Sequence, residues 1–404
     1  ACRALQIDAR RADRGDGLWE LSHRAPLGMS EVALVNLVTR GCRHLVQLER
    51  ALCDGTTTQV VPPGLGPTAT PGFPTDACPP ELPDLSGNRS AAARALVADP
   101  SMYGALRECR TSAGVSLALV IKPTMDVLGG GLGGPPWLGL VAGDAESYAT
   151  FAPLFRAAIE VLQGSPPVAA PQPTLDPALL AVTGADARLA RASGVRLRLA
   201  RNLSGFRLPP ACSADERRQV EQVLSSGLLA LPGGGTYTPL GTGKADELKR
   251  LSAQRLLPRE PDAPAKLAAG VGRDWPDARG AFLSGDGSLA AWLNEEEHLS
   301  LFSMHDDNVA VAFERLCIAE SAVKKALEQQ GHSFARDDSM GFLTAMPERA
   351  GTGLAMSVSL ALPNLVSRGN VAGACEKLGL QILSKAPGGR VEVASRPVFG
   401  VSEV

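Results

Sequence analysis

Apolar residues recur near helical spacing in several parts of the chain. In residues 30–53, Val32, Val35, Leu45 and Leu48 follow intervals close to a repeat of about 3.6 residues. This spacing predicts one long amphipathic helix. The same periodicity predicts shorter or equally regular helices at Ala91–Ala98, Met102–Cys109, Ala149–Leu162, Ala214–Leu229 and Val309–Gln330.

Beyond about residue 190 the pattern changes to short apolar runs typical of strands. Because these runs follow one another closely, while the long helical stretches stand apart, they predict an antiparallel sheet flanked by helices, an α+β fold. The predicted strands are Val195–Leu199, Gly280–Leu283, Leu289–Leu293, Leu299–Met304, Met340–Ala345, Ala355–Leu362 and Val391–Ala394.

Two stretches rich in proline and glycine divide the chain. Residues 55–90 and 164–177 cannot sustain regular helix or sheet, so both are predicted linkers. With the patterns above, they predict an N-terminal segment at 1–55, a linker at 56–90, a small all-helical domain at 91–177 and a larger domain with the sheet at 178–404.

Composition narrows the classes of partner. The 404 residues are 45% hydrophobic and 20% charged, as in ordinary globular proteins. The net charge of −2 provides no broad basic field, so nucleic acid is not an expected partner. Since no run of about 18 apolar residues occurs, no membrane span is expected.

The cysteines indicate a reducing environment. All eight are scattered singly, without the paired spacing of a zinc site. They are expected to be free thiols in the cytoplasm, and no metal site is expected from the sequence.

A short internal repeat links the two ends of the chain. The sequence GMSEV at 28–32 recurs as GVSEV at 400–404. The match indicates that the chain opens with the end of one repeat and stops as the end of the next begins. A match of this length is also what chance similarity produces. Because the first residue is alanine, the chain is expected to be processed or excerpted.

Several segments, in order along the chain, together resemble the phosphagen (ATP:guanidino) kinases, and the creatine kinases more than the arginine kinases. The resemblance extends over roughly residues 95–400. The segments are VAGDAESYATFAPLF (141–155), GFRLPPACSADERRQVEQVL (205–224), GRDWPDARGAF (272–282), WLNEEEHLSLFSM (292–304), MGFLTAMPERAGTGL (340–354) and ALPNL (361–365).

The resemblance also accounts for the ends of the chain. Residues 1–55 look like the C-terminal end of a preceding unit, and residues 178–404 resemble a catalytic-type domain without its final helix. The implied protein is a degenerate unit of a tandem, flagellar creatine kinase-type chain with neighbouring phosphagen kinase-like repeats. The implied fold is a small helical domain followed by a larger domain with an antiparallel sheet.

Phosphoryl transfer from ATP to a guanidine requires alignment, cations against the moving phosphoryl group and a carboxylate that holds and deprotonates the guanidinium. The box Asn-Glu-Glu-Glu-His at 294–298 is similar to the family's acidic box. The resemblance makes Glu296 the guanidinium-binding base and Glu295 its neighbour near the metal. Glu297 stands where the family has a shorter aspartate. Three adjacent glutamates are also typical of a solvated acidic turn.

Nucleotide binding is implied at three basic residues. Arg196 and Arg198 match the family's Arg-x-Arg run, and alternation along a strand places both on one face. Lys385 stands where the family has an arginine, so it keeps the charge without the bidentate fork. No cofactor is predicted outright; the resemblance implies Mg-ATP or Mg-ADP on the condition that nucleotide binding is retained.

Five other family positions have lost their side chains. By the resemblance, Ser300 and Ala355 stand where the family has arginines, and Met346 stands where it has a reactive cysteine. The thioether of Met346 cannot form a thiolate, so that reactivity is lost. Arg255 and Ser359 replace two histidines that flank the adenine in creatine kinases.

These losses lead to two hypotheses. The first is a catalytically impaired creatine kinase-like unit, a pseudokinase that acts as a structural or docking component with protein partners, in a ciliary or flagellar axoneme. The alternative is an active ATP:guanidino phosphotransferase that buffers ATP locally, with Lys385, Arg201 or another basic residue in place of the lost arginines.

Overall fold

The structure, a computed structural model, describes residues 7–11, 19–23, 72–85, 87–127, 137–164, 175–181, 187–189 and 191–395. The helix predicted at 30–53 and both copies of the short repeat lie outside the described residues. So does most of the segment predicted at 1–55.

Helices and strands alternate irregularly along the described residues. The helices are α1 (Ala91–Ala98), α2 (Ser101–Leu106), α3 (Leu117–Asp126), α4 (Ser147–Thr150), α5 (Ala152–Gln163), α6 (Ala214–Leu229), α7 (Ala245–Ala253), α8 (Pro264–Ala268), α9 (Val309–Gln329), α10 (Pro363–Ser367) and α11 (Val371–Lys377), with 3₁₀ turns at Pro177–Leu179 and Pro347–Arg349. The strands are β1 (Ile7–Arg11), β2 (Trp19–His23), β3 (Ala192–Arg201), β4 (Gly235–Pro239), β5 (Gly280–Ser284), β6 (Leu289–Leu293), β7 (Leu299–His305), β8 (Arg336–Asp337), β9 (Gly341–Phe342), β10 (Leu354–Ala361), β11 (Leu380–Ala386) and β12 (Arg390–Ser395).

The chain divides into two compact units. The first comprises Ala1–Val141, Glu146–Leu162 and Glu260–Asp274. The second comprises Ala142–Ala145, Gln163–Arg259 and Trp275–Val404.

The described part of the first unit is mostly helical. Helix α1 begins at Ser90, whose side-chain oxygen accepts a hydrogen bond from the amide of Ala93 at 3.1 Å. Helix α3 is buried on most of its surface and packs against α8. Because α8 comes from Pro264–Ala268, this small unit draws on a segment far along the chain.

A buried ion pair joins α3 to the segment that precedes α1. Lys122 and Asp126 lie 2.8 Å apart, and both side chains are almost fully buried. The amide of Phe73 donates to Asp126 at 2.6 Å, and Lys122 donates to the Phe73 carbonyl. Residues 72–85, which fall within the linker expected from the sequence, are thereby held against the helix.

The second unit is built on an eight-stranded, wholly antiparallel sheet. The strand order is β11-β12-β10-β3-β7-β6-β5-β4. Helices α6 and α9 pack on one face, where Leu197 and Leu199 of β3 lie in one core with Leu224 and Leu316. This arrangement confirms the α+β fold predicted from the sequence.

Alternation along β3 decides what reaches the opposite face of the sheet. Val195, Leu197 and Leu199 are buried, whereas Arg196 and Arg198 are half-buried between them. Successive side chains of a strand point to opposite faces, so both arginines lie on the face away from the helix-side core. The prediction that they share a face is confirmed.

Several predicted elements differ from the structure. Helices α1 and α6 have the predicted bounds, but Ala149–Leu162 is interrupted at Phe151. The strand predicted at Met340–Ala345 is wrong. Only β9 forms there, because Gly341 adopts a φ of 76° and the amide of Ala345 is drawn to the Glu297 carboxylate.

Arg201 ties three elements of the second unit together at the end of β3. Its side chain is fully buried, and Nε donates to Glu320 of α9 at 3.0 Å. Nη1 donates to the carbonyl oxygen of Thr352 at 2.8 Å, and the guanidinium lies 3.4 Å from the ring centroid of Phe342. The loop before β10 is therefore fixed to the sheet. This arginine has a structural role rather than one as a replacement cation.

Candidate active site

The acidic turn, residues 294–298, connects β6 to β7. Asn294 opens it with a φ of 54°, a conformation that asparagine adopts more readily than most residues. Its amide donates to the carbonyl oxygens of Arg217 at 2.9 Å and Ala278 at 2.8 Å. These two bonds hold the turn in one orientation, so the glutamates that follow are presented in fixed directions.

Glu297 points into the protein, where a substrate does not reach it. Its side chain is fully buried. It accepts hydrogen bonds from the side-chain amide of Asn202 at 2.6 Å and from the backbone amide of Ala345 at 2.7 Å. Burial raises its pKa to about 7, although these two hydrogen bonds act in the opposite direction. Glu297 therefore fastens the loop at 345 to the end of β3.

His298 is also structural. Its ring accepts from the amide of Leu203 at Nδ1, at 3.1 Å, and therefore carries its proton on Nε2, which donates to the Arg207 carbonyl at 3.0 Å. Burial lowers its pKa to about 4, so the imidazole is neutral near physiological pH. Both ring nitrogens are committed to the backbone, and the ring is not a base for chemistry.

Glu296 is held between two arginines of the protein itself. Its Oε2 lies 3.1 Å from Arg198 Nη2 and 2.5 Å from Arg349 Nη1. Glu295 lies beside it, with its Oε2 accepting from the Glu296 amide at 2.9 Å and lying 3.7 Å from Arg198. Both carboxylates are buried. Their negative charge is therefore balanced within the chain.

Two of the positions at which the sequence resemblance implies a lost arginine adjoin this cluster. The hydroxyl oxygen of Ser300 accepts from Arg198 Nη2 at 3.0 Å and Nε at 3.3 Å. Ala355 of β10 is the register partner of Arg198 in β3. The structure thus brings Ser300, Ala355, Arg198 and Glu296 to one place, where serine and alanine add no positive charge.

Arg196 faces a separate part of the same surface. Arg196 and Arg198 both lie over the ring of Phe302, at 5.9 and 5.8 Å from its centroid. Arg198 is drawn to the carboxylates. Arg196 makes no hydrogen bond or ion pair with the described residues, so its donors remain available to a ligand.

A cavity of about 550 Å³ opens beside Arg196. Burial lowers the pKa of Arg196, Glu392 raises it and the neighbouring Arg255 lowers it further. Serines and arginines there are donors that suit phosphate, whereas the carboxylates oppose an anion. The charged and polar lining comprises Ser193, Arg196, Arg255, Asp286, Ser288, His305, Asp306, Arg315, Ser357, Ser359 and Glu392.

The remaining sequence-predicted positions lie in three different places. Lys385 is exposed on β11, at the edge of the sheet and three strands from β3. Met346 lies at the start of a 3₁₀ turn, and its amide is 3.4 Å from Glu297 Oε1. Arg255 and Ser359 meet Arg196 in the cavity.

Sequence reasoning missed Arg349. It lies in the 3₁₀ turn Pro347–Arg349, and the pairing with Glu296 raises its pKa, as do Glu348 and Glu297. The signal was present as a charged pair, Glu348-Arg349, just before the turn at Gly351. A basic residue so close in sequence to a family substrate-site position was the cue.

The described residues contain no group of three or more histidine, cysteine or acidic side chains suited to hold a metal ion. Nor does any described helix have the length and apolar character needed to cross a bilayer.

Residues 217–403 match the ATP:guanido phosphotransferase C-terminal catalytic domain, and residues 86–160 match the N-terminal domain of the same family. Lombricine kinase of Eisenia fetida is 35% identical over 285 residues, which cover 69% of this chain and 74% of that protein. The chain belongs to the phosphagen kinase family.

Another relative is much longer than this chain. A protein named flagellar creatine kinase, from Strongylocentrotus purpuratus, is 32% identical over 357 residues. The match covers 87% of this chain and only 30% of that protein.

Solved structures have the same fold. A crystal structure of lombricine kinase superimposes with a TM-score of 0.73 at 30% identity, covering 80% of this chain and 89% of that one. The substrate-free duplicated taurocyamine kinase from Schistosoma mansoni gives a TM-score of 0.69 at 27% identity. It covers all of this chain and 55% of the duplicated one.

Glu297→Gln should change how the stability of this phosphagen kinase depends on pH. The Glu297 carboxyl titrates near pH 4.5 when unfolded and at about 7 in the fold. Between these values the folded state keeps a proton that the unfolded state has lost, so stability falls as pH rises. Glutamine should remove this loss, worth on the order of 3 kcal/mol above pH 7. Urea denaturation of both proteins across this interval measures it.

The titration of His298 has the opposite effect on how stability depends on pH. Its neutral form stabilises the fold above pH 6.5, and that contribution is lost as pH falls toward about 4. The glutamine variant should therefore become more stable with rising pH through this range, relative to the wild type. Glu314→Gln, on an exposed face of α9, is the matched control and should follow the wild type. Parallel curves for wild type and E297Q at every pH would contradict the role of Glu297.

Proposed function

We propose that this phosphagen kinase unit is catalytically impaired and acts as a structural or docking component. The observation that carries the proposal is the pairing of Glu296 with Arg198 and Arg349. The carboxylate that the family resemblance assigns to the substrate guanidinium is already neutralised by the chain. A substrate guanidinium would have to displace one of these partners first.

The loss of cations supports the proposal independently. Ser300 and Ala355 stand at two family arginine positions, and both adjoin Arg198. One arginine that stabilises the charge of phosphoryl transfer is worth about a thousandfold or more in rate. Arg198, the cation closest to these positions, is occupied by carboxylates. The charge on a moving phosphoryl group would therefore be poorly compensated.

The position of the family's reactive cysteine supports the same conclusion. Met346 carries a thioether, which cannot ionise to a thiolate beside the guanidine. Its backbone amide lies near Glu297, so the residue remains at the edge of the carboxylate cluster. Position 346 therefore lies beside the carboxylates without supplying a thiolate.

A second candidate function is an active ATP:guanidino phosphotransferase that buffers ATP locally. It is favoured by the retained pair Glu295 and Glu296, and by Arg196, whose donors face the cavity. Arg349 also brings a new guanidinium to the cluster. Activity would require Arg349 to leave Glu296 and to compensate a phosphate instead.

A coupled assay of ATP consumption distinguishes the two candidates. Purified protein with Mg-ATP and creatine, lombricine, taurocyamine or arginine should turn over at least about a thousandfold more slowly than a creatine kinase measured alongside it. The reverse reaction, from the corresponding phosphagens and Mg-ADP, provides the check for slow forward turnover. Turnover in the range of the reference enzyme would contradict impaired catalysis.

Arg196 and Lys385 are the proposed nucleotide contacts that remain. Arg196→Ala should weaken Mg-ADP binding about tenfold or more, because it removes a charge-assisted donor that lines the cavity. Lys385→Ala should have a smaller effect, since its exposed ammonium lacks the arginine fork. Isothermal titration calorimetry measures both.

Arg368→Ala, at an exposed position after α10, is the matched control for the titration. It should bind Mg-ADP as the wild type does. Equal affinity of R196A and wild type would contradict a nucleotide contact at Arg196. Absence of binding in every variant would mean that the cavity no longer takes nucleotide.

The cellular setting that we propose is the axoneme of a cilium or flagellum, with neighbouring phosphagen kinase-like units in one chain. The support is similarity to a flagellar creatine kinase and to a duplicated taurocyamine kinase. Tagged full-length protein should remain with axonemes after detergent extraction, and the full-length transcript should encode further units. Complete release with the cytoplasm would contradict the axonemal role.

A further inference from the structure

Arg349 reaches the buried carboxylate cluster from a short loop. The Arg349 loop, residues 345–353, forms most of the connection between β9 and β10. The Arg349 side chain is 31% exposed, whereas that of Glu296 is 6% exposed. The guanidinium thus reaches the buried carboxylate while part of the Arg349 side chain stays exposed. A guanidine compound bound by Glu296 would need the carboxylate that Arg349 Nη1 already contacts.

The loop is anchored on both sides of Arg349. Before it, the amide of Ala345 donates to Glu297 at 2.7 Å. After it, Gly351 and Phe342 exchange two backbone hydrogen bonds, at 3.0 and 2.8 Å. The backbone at Gly341 passes so close to Gly351 that an added Cβ would lie 2.7 Å from its Cα. Since both ends are fixed, the placement of Arg349 is part of the fold.

Two guanidiniums already converge on a single oxygen of Glu296. Arg198 Nη2 and Arg349 Nη1 both donate to Oε2. Arg198 is held in addition by the Ser300 hydroxyl, so it cannot leave without losing two further hydrogen bonds. Arg349 forms its described side-chain ion pair with Glu296 alone. It is therefore the partner that an incoming guanidinium would have to replace.

We infer that Arg349 is an internal occupant of the guanidine site, which excludes free guanidine compounds from Glu296. The inference rests on the proposed function only for the identity of Glu296 as the guanidinium-binding carboxylate. It adds a residue that determines which substrates can enter, and it holds whether or not phosphoryl transfer survives.

The competition favours the internal group. A guanidinium attached to an anchored loop has an effective concentration in the millimolar range or above at its partner. A free guanidine compound must in addition lose translational freedom on binding. Arg349 Nη1 already donates to Glu296 Oε2, the oxygen that Arg198 also contacts, so a further guanidinium would compete for an occupied acceptor. Removing Arg349 should therefore strengthen the binding of a free guanidine compound about tenfold or more.

Direct binding measurements test the inference without any need for turnover. Creatine and methylguanidine are the probes, and saturation-transfer NMR and calorimetry measure their binding to the protein. Arg349→Ala should bind at least one of them about tenfold or more tightly than the wild type. Arg349→Lys keeps the positive charge but replaces the planar guanidinium by a compact ammonium on a differently shaped side chain, so its affinity for the probes should lie between those of wild type and R349A. Arg368→Ala is the control and should match the wild type.

A double variant identifies the site of the gained binding. Arg349→Ala combined with Glu296→Gln should lose the affinity that R349A gains, because the carboxylate is gone. Persistence of the gain in the double variant would overturn the inference. Equal affinity of wild type, R349A and R349K for the probes would also overturn it. Thermal melting of each variant confirms that it is folded.

The outcomes separate this inference from the proposed function. Tight guanidine binding by an inactive wild type would overturn the inference and leave impaired catalysis standing. Gained binding in R349A without turnover would support both. Gained binding together with turnover in R349A would support the inference and identify Arg349 as the cause of the impaired catalysis.

Discussion

Desolvation of the acidic turn is the constraint on which the site depends. Three consecutive carboxylates at 295–297 are withdrawn from water, and buried charge is costly unless it is paired or neutralised. Each position meets this cost differently. Glu297 is bound by amides and holds its proton more tightly, whereas Glu296 is balanced by Arg198 and Arg349. The loops and strands around the turn are arranged to supply these partners.

The sequence predicted the fold class, the same-face placement of Arg196 and Arg198, and the bounds of α1 and α6, because these follow from local periodicity and from family resemblance. The strand predicted at Met340–Ala345 was wrong, because the conformation of Gly341 depends on its close approach to Gly351, which local sequence does not reveal. The sequence marked position 349 by a charged pair near a family site but could not identify Glu296 as the partner of Arg349, because the two residues are distant in sequence. Pairings of this kind depend on tertiary geometry, which carries no periodic signal.

The two arginines of β3 show how one motif can divide into different roles. Arg198 is immobilised by Ser300 and the carboxylates, whereas Arg196 remains directed at the cavity. Residue identity is the same at both positions, so the neighbours decide the chemistry. A role assigned from the motif alone would have treated them as equivalent.

The hydrogen bonds between Ser300 and Arg198 also bear on how such a protein can evolve. An arginine placed at position 300 would add a cation beside Arg198, but Glu296 would still be paired with Arg349. A change at position 349 alone would remove one partner of Glu296 and leave serine and alanine at positions 300 and 355. A complete set of cations around an open carboxylate would therefore require changes in separate parts of the chain, β7 and β10 on one side and the loop before β10 on the other.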